Sequence, residues 1–141
     1  MTFKEEKRDL FSVEDDYYFA HCISSDLGMG KGIVVEFNKR FDMKNKLLKR
    51  GKFNWCGTGY CIREGRVLNL ITKEKYWNKP TYETLTYSLL GMKNEIMISS
   101  ITKVAMPKIG CGLDKLEWNK VRDIIQDLFK DVNVEILVCY L

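Results

Sequence analysis

The chain has 141 residues, of which 45% are hydrophobic and 30% are charged, and its net charge at pH 7 is +4. These values are ordinary for a soluble protein, and we expect one domain over residues 1–141. No apolar run approaches the roughly 20 residues of a membrane span, and the charged first eight residues do not form a secretory signal. We therefore expect no membrane partner and a cytoplasmic location, with the nucleus as an alternative.

Cysteine and histidine, which most often hold a structural metal, are few and scattered. His21 is the only histidine, and the five cysteines are Cys22, Cys56, Cys61, Cys111 and Cys139. Because zinc sites draw on clustered ligands and no CxxC pair occurs, we expect no metal site, and nothing implies a cofactor. Cysteines within apolar runs indicate free thiols in a reducing compartment. His21 is predicted to be a core residue.

The first elements predicted along the chain are a strand and a helix joined by a glycine-rich loop. The apolar run at residues 17–23 predicts a buried strand. The loop 28–32 follows, and apolar residues then recur at helical spacing from Ile33 to Phe41. Leu47 and Leu48 predict a second short helical turn.

Two charged segments flank these elements. Residues 2–7 are too charged to predict a strand. Basic residues are densest from Lys39 to Lys52, and two interpretations of them stay open. The segment is either a solvated helix face and loop, or a surface that attracts a polyanionic partner such as nucleic acid.

The middle of the chain predicts a β-hairpin. Residues 58–63 and 66–72 have strand character and flank Glu64 and Gly65, a pair suited to a two-residue turn. The second of these strands is almost wholly apolar, so we expect it inside the sheet.

The remaining elements are predicted to be a helix, a strand, a helix and a strand. Residues 83–98 have helical spacing and follow a Pro-Thr start at Pro80. Residues 101–106 predict a strand, residues 121–128 a helix and residues 134–141 a final strand. Strands that alternate with helices favour an α/β layered domain.

Two glycine-rich loops each come directly after a predicted strand. The loop 28–32 opens a helix, and the loop 110–112 follows its strand through Pro107. Backbone amides in such loops can approach phosphate oxygens with no side chain between them, and a helix N-terminus adds a favourable dipole. Ligands of open α/β sheets bind beyond the carboxyl ends of the strands. The pair of loops therefore predicts a cradle for a diphosphate, although neither loop matches a Walker or a GxGxxG motif.

Several motifs resemble those of a known family. They are residues 21–24 (HCIS) before 29–33 (MGKGI), residues 70–73 (LITK) before 79–83 (KPTYE), and residues 106–114 (MPKIGCGLD). In this order and spacing they are similar to macro domains. The most similar branch contains terminal ADP-ribose protein glycohydrolase and phosphatases that act on ADP-ribose 1″-phosphate. The resemblance covers about residues 8–141 and implies a three-layer α/β/α sandwich around a central mixed sheet.

The resemblance also implies a set of ADP-ribose-binding residues. Asp9, Leu10 and Leu141 would lie at the adenine, and the two loops would hold the diphosphate and the distal ribose. The residues expected in the loops are Ser24, Gly28, Met29, Gly30, Gly32, Ile33, Pro107, Lys108, Ile109, Gly110, Cys111, Gly112 and Leu113.

This sequence departs from the family pattern at two places. Arg8 stands where a glycine usually precedes the adenine-binding aspartate. Cys22, Ile23 and Ser24 replace the asparagine-rich first loop of another hydrolytic macro branch. That replacement disfavours the water-activating mechanism of the other branch.

Lys73 and Asp114 are the catalytic residues that the resemblance implies. A lysine matching Lys73 attacks the anomeric carbon of the distal ribose, and an aspartate matching Asp114 assists by acid–base chemistry. A lysine becomes nucleophilic when its environment favours the neutral amine, and an adjacent carboxylate can move the protons. Asp114 could instead cap the following helix.

Three functions remain open from the sequence. The first is a hydrolase that removes ADP-ribose from a modified protein or nucleic acid. The others are an ADP-ribose 1″-phosphate phosphatase and a non-catalytic reader of ADP-ribose. Trp55, Trp77 and Trp118 could cover the ligand or pack in the core, and a monomer is expected.

Overall fold

The computed structural model describes residues 1–50 and 57–141, so the predictions made for Lys52, Trp55 and Cys56 lie outside the described residues. The four cysteines within these ranges are free thiols. None of the helices found there combines the length and the apolar character needed to cross a bilayer. The strands are β1 (Thr2–Lys7), β2 (Tyr18–Ser24), β3 (Tyr60–Glu64), β4 (Val67–Lys73), β5 (Lys103–Met106) and β6 (Glu135–Tyr140). The helices are α1 (Val34–Phe41), α2 (Met43–Lys49), α3 (Tyr82–Ile98) and α4 (Trp118–Phe129), and Leu10–Ser12 forms a 3₁₀ turn.

The strands form one mixed sheet in the order β1-β6-β5-β2-β4-β3. Along this sheet order, each strand is parallel to the next as far as β4. Only β3, at the far edge, is antiparallel to its neighbour β4. The apolar strand β4 lies between β2 and β3, which confirms its predicted interior position. Because five strands run in the same direction, their carboxyl ends meet along one edge of the sheet.

Helices cover both faces of the sheet, as the α/β/α prediction requires. On one face, buried side chains of α1 and α2 such as Phe37 and Leu47 form a core with β2 and β4. On the other face, α3 and α4 contribute Leu89, Met92 and Phe129 to a second core. The sheet is therefore held rigidly between two apolar layers, and the loops at its carboxyl edge are mounted on that frame.

Residues 2–7, too charged for the sequence to predict a strand, nevertheless form one. They form β1, which pairs along its whole length with β6 and has no second neighbour among the described strands. An edge strand tolerates charged side chains because one side of it faces solvent. One of them is also used in packing, since Glu5 accepts hydrogen bonds from Trp118 Nε1 at 2.7 Å and Arg122 at 3.1 Å.

The hairpin is confirmed, but its turn lies one residue later than predicted. Glu64 pairs with Val67, so Gly65 and Arg66 form the turn. Gly65 has a φ of 59°, which glycine adopts without strain. The guanidinium of Arg66 donates to the Tyr17 carbonyl at 2.7 Å, and this long-range contact favours the observed turn.

His21 is a core residue, as predicted. It is fully buried in β2, and its ring stacks on Phe37 with a centroid distance of 3.9 Å. Its Nε2 lies 2.6 Å from Asn69 Oδ1. Burial lowers the pKa of His21 to about 4, so the imidazole is neutral at physiological pH.

Candidate active site

A cavity of about 1000 Å³ lies beyond the carboxyl ends of the parallel strands. Its walls come from the segments that follow β1, β2, β4, β5 and β6. This is where an open α/β sheet binds its ligand. The volume is at the upper end of the range typical of cofactor-sized ligands.

The cavity brings together nearly all of the predicted site residues. Those that line it are Asp9, Leu10, Ser24, Gly28, Gly30, Gly32, Ile33, Lys73, Pro107, Lys108, Ile109, Gly110, Cys111, Gly112, Leu113, Asp114 and Leu141. Met29 is the exception, because its side chain is 8% exposed and belongs to the core beneath the first loop.

The cavity is also lined by residues that were not among the predicted site residues. They include Arg8, Cys22, Lys31, Tyr76, Trp77, Lys79 and Lys115. Most of them neighbour a predicted residue along the chain. Tyr76, Trp77 and Lys79 come instead from the segment after β4. Ligands of α/β sheets bind beyond the carboxyl ends of parallel strands, so the position of this segment after a strand could have indicated these residues.

Lys73 and Asp114 meet at the wall of this cavity. Lys73 Nζ lies 2.7 Å from Asp114 Oδ1, and each side chain is only 15% exposed. Lys73 is the last residue of β4, and Asp114 lies in the loop after β5. The alternative role of Asp114 as a helix cap is wrong, because α4 begins at Trp118 and Glu117 occupies its N-cap position. Asp114 is therefore free to act with the lysine.

The second glycine loop, taken here with its flanking residues as 107–114, ends at Asp114 and forms a compact turn. Leu116 N donates to the Gly110 carbonyl at 2.8 Å. Gly110 has a φ of 73°, and a Cβ at this position would lie 3.0 Å from the Leu116 side chain. Beside Asp114, the carbonyl of Leu113 accepts a hydrogen bond from Lys79 Nζ at 2.6 Å. These contacts fix the backbone on both sides of the second loop.

The first glycine loop, taken here with its flanking residues as 25–33, is held in shape by the carboxylate of Asp26. Asp26 accepts hydrogen bonds from Gly28 N at 3.0 Å, from Tyr76 N at 3.2 Å and from the Ser24 hydroxyl. Burial raises the pKa of Asp26, but these hydrogen bonds outweigh burial and the net pKa is lowered. A Cβ at Gly28 would lie 2.8 Å from the Tyr76 side chain, so only glycine fits there without displacement.

Residues 74–79, here named the strap, connect the two glycine loops. On one side, Asp26 N donates to the Glu74 carbonyl at 2.9 Å and Asp26 accepts from Tyr76 N. On the other side, Lys79 donates to Leu113. Since Lys73 immediately precedes the strap, this short segment links the lysine to both loops through its hydrogen bonds.

Helix α1 opens directly onto the cavity. It begins at Val34, and Ile33 at its N-cap makes no side-chain capping hydrogen bond. The first amides of an uncapped helix can donate to an anion, and the helix dipole favours the negative charge. Gly32 has a φ of 77°, and a Cβ added to it would lie 3.3 Å from the Leu113 side chain. The two loops are therefore in close contact here.

The thiols in the cavity wall are unsuited to nucleophilic catalysis. Burial raises the pKa of Cys22 to about 12, and the charge of Asp114 adds to the effect. Burial raises the pKa of Cys111 to about 11, against a lowering by Lys108. Both are protonated at neutral pH, and the protonated thiol is a poor nucleophile. Among residues 1–50 and 57–141, no three Cys, His, Asp or Glu side chains are grouped to hold a metal.

Two of the three tryptophans lie in the described residues, and their environments differ. Trp118 packs between α4 and β1, where it donates to Glu5. Trp77 is 63% exposed at the mouth of the cavity. Of the two, only Trp77 borders the cavity.

Comparison with known proteins identifies the family. The ADP-ribose glycohydrolase OARD1 of Homo sapiens is 41% identical over 133 residues, which cover 94% of this chain and 87% of that protein. The chain is a macro domain of the terminal ADP-ribose glycohydrolase branch. The DNA ADP-ribosyl glycohydrolase of Mycobacterium tuberculosis is 30% identical to this macro domain over 116 residues, 74% of this chain and 32% of that protein.

A solved structure agrees with this assignment. The macrodomain of Thermus aquaticus DarG has a TM-score of 0.84 against this macro domain, with 20% identity and 99% of each chain covered. The expected fold, an α/β/α sandwich with a mixed sheet, is thereby confirmed. No family model matches the chain.

Proposed function

We propose that this macro domain is a hydrolase that releases ADP-ribose from modified proteins or nucleic acids. The observation that carries the proposal is the 2.7 Å contact of Lys73 with Asp114 in the wall of a cavity of about 1000 Å³. The names of the two relatives, an ADP-ribose glycohydrolase and a DNA ADP-ribosyl glycohydrolase, support the same reaction class.

In this proposal the diphosphate lies between the two glycine loops. The Val34 amide at the start of α1 donates to it from one side, and the amides of Gly110 and Gly112 donate from the other. The amides of Val35 and Cys111 already donate to backbone carbonyls. The adenine lies against Leu10 and Leu141. Asp9 Oδ1 accepts from Phe11 N at 3.0 Å, and in this proposal its second carboxylate oxygen accepts from the adenine amino group.

The distal ribose then lies over Lys73 and Asp114. Asp114 takes a proton from the Lys73 ammonium, and the neutral amine attacks the anomeric carbon. The bond from that carbon to the oxygen or nitrogen of the target breaks, and Asp114 returns the proton to that departing atom. Water next attacks the same carbon while Asp114 accepts its proton. The lysine departs, takes up that proton, and ADP-ribose is released.

The test compares three substrates: a glutamate-linked ADP-ribosyl peptide, an ADP-ribosylated thymidine oligonucleotide and ADP-ribose 1″-phosphate. Wild type, Lys73→Ala and Asp114→Ala are assayed on each. Lys103→Ala is the matched control, because Lys103 also pairs with an aspartate, Asp16 at 2.9 Å, but near the start of β5. ADP-ribose binding is measured in parallel by calorimetry.

We expect both site substitutions to abolish deribosylation and the control to retain it. Lys73→Ala should still bind ADP-ribose, because its role is in the reaction rather than in the phosphate loops. Normal turnover by Lys73→Ala would refute the lysine mechanism. Release of phosphate alone would indicate the phosphatase, and binding with no turnover of any substrate would indicate a reader.

A further inference from the structure

The strap carries an exposed aromatic pair that the proposed ADP-ribose site does not use. Tyr76 is 55% exposed and Trp77 is 63% exposed, and both border the cavity. Their rings meet edge to face, with centroids 4.9 Å apart and planes at 89°. Two large adjacent aromatic side chains in solvent at the mouth of a pocket are typical of an interaction surface.

The backbone beneath this pair is fixed before any partner binds. Asn78 N donates to the Lys75 carbonyl at 2.9 Å, and Lys75 N donates to Asn78 Oδ1 at 2.9 Å. These two bonds close a four-residue turn that has Tyr76 and Trp77 as its central residues. Asp26 anchors the same turn through Tyr76 N. A platform that is already ordered loses little conformational entropy on binding.

The charges around the cavity indicate the chemistry of the partner. The lining residues include six basic side chains, Arg8, Lys31, Lys73, Lys79, Lys108 and Lys115, against Asp9 and Asp114. Arg8 is already paired with Glu6 at 3.3 Å, so the surplus is about three positive charges, and the diphosphate of ADP-ribose neutralises about two of them. Lys31 and Lys115 are exposed at the mouth, so the remaining positive charge faces whatever carries the ADP-ribose.

We propose that Tyr76 and Trp77 form a stacking surface for an unpaired nucleobase of single-stranded nucleic acid, with Lys31 and Lys115 meeting its phosphates. Single-stranded nucleic acid combines planar bases and negative charge, which aromatic side chains and lysines bind together. A duplex keeps its bases stacked inside. A peptide modified on an acidic side chain has used that charge in the ester, and it offers a planar ring only where an aromatic residue lies beside the modified position. The proposal names the substrate class of the proposed hydrolase. Its prediction about turnover rests on that proposed function, whereas its prediction about binding does not.

Binding is tested with an unmodified fluorescent oligo-dT of twelve nucleotides, measured by anisotropy at two salt concentrations. Trp77→Ala should weaken binding roughly tenfold, since one base–aromatic stack contributes about that much. Trp77→Phe should retain most of the affinity and Trp77→Leu should lose it. Tyr87→Ala is the matched control, because Tyr87 is 54% exposed on α3, outside the cavity lining. Lys31→Ala and Lys115→Ala should each reduce the salt slope by about 1.

Turnover and ADP-ribose affinity separate the possible outcomes. We expect Trp77→Ala to slow release from an ADP-ribosylated oligonucleotide by a larger factor than release from an ADP-ribosylated peptide, and by a larger factor than it weakens the binding of free ADP-ribose. Wild-type affinity of Trp77→Ala for oligo-dT would overturn the proposal, as would an equal loss on both substrates or a matching loss for free ADP-ribose. If no substrate is turned over while oligo-dT binding still depends on Trp77, the proposed hydrolase fails and the stacking surface stands.

Discussion

Acid should destabilise this protein through its single histidine. His21 is fully buried, with Nε2 at 2.6 Å from Asn69 Oδ1. Asn69 Nδ2 donates to the Ile62 carbonyl at 3.2 Å, so the amide oxygen accepts and His21 donates from Nε2. The other ring nitrogen, Nδ1, is buried and has no hydrogen-bond partner among residues 1–50 and 57–141. A second proton would therefore have to be placed on a nitrogen that faces no acceptor.

The size and the direction of the effect follow from linkage. Burial lowers the pKa of His21 from 6.5 to about 4, so between these values the unfolded chain binds the proton and the folded chain does not. Stability is therefore full above pH 6.5 and falls as the pH drops toward 4. One pKa unit corresponds to about 1.4 kcal/mol, so the full loss is about 3 kcal/mol, of which about 2 kcal/mol has occurred at pH 5.

The assay is urea unfolding at pH 7.5 and pH 5.0 for wild type and His21→Gln, which keeps an N–H donor for Asn69 but does not titrate. Carboxylates contribute equally to both proteins, so the difference between the two pH dependences isolates the histidine. We expect wild type to lose about 2 kcal/mol more than the variant. Because His21 is the only histidine, its ring resonances can also be followed by NMR in wild type. A titration midpoint near 6.5, or equal pH dependences, would refute the reasoning.

Two further predictions concern the strap. Lys79→Met removes the 2.6 Å hydrogen bond to the Leu113 carbonyl beside the reacting aspartate, and should lower kcat about two- to tenfold with little change in KM. Lys79→Arg should restore most of kcat in steady-state assays, and a change confined to KM would contradict this role. Gly28→Ala places a Cβ 2.8 Å from Tyr76 and should cost about 1–3 kcal/mol of stability in urea unfolding, whereas Gly30→Ala, with no atom within 4 Å, should cost less. Equal losses of unfolding free energy for the two alanine variants would show that the Tyr76 side chain moves away from residue 28 at no energetic cost.

Local sequence signals predicted most of the fold because they coincide with the packing. The Pro-Thr start fixed the beginning of α3, where Thr81 and Thr84 form a reciprocal capping box. The almost wholly apolar pattern of β4 predicted a strand with neighbours on both sides. Strand β1 was missed for the opposite reason. Its charged residues are permitted by an edge position that depends on pairing with β6, more than 120 residues away in the chain.

The candidate site was predicted through motifs and strand ends, and both signals have limits. The glycine loops identified residues near the cavity, but Met29 within the first loop turned its side chain into the core. Whether Asp114 caps a helix or meets Lys73 could not be decided locally, because the answer depends on where α4 begins. The position of Trp77 at the cavity mouth depends on the anchoring of the strap by Asp26, a long-range contact with no local sequence pattern.

The strap unites the two parts of the proposed mechanism. It starts at Lys73, is tied to the first loop through Asp26 and to the second through Leu113, and bears Trp77 on its outer side. Its inner contacts therefore set the distance between the lysine and the phosphate loops, while its outer side is free to vary without disturbing them. A hydrolase built in this way can change which modified macromolecule it accepts by changing the exposed side chains of the strap. The reacting pair and the ADP-ribose pocket stay the same as long as Asp26 and Lys79 keep their hydrogen bonds, because the exposed rings of Tyr76 and Trp77 take no part in those bonds.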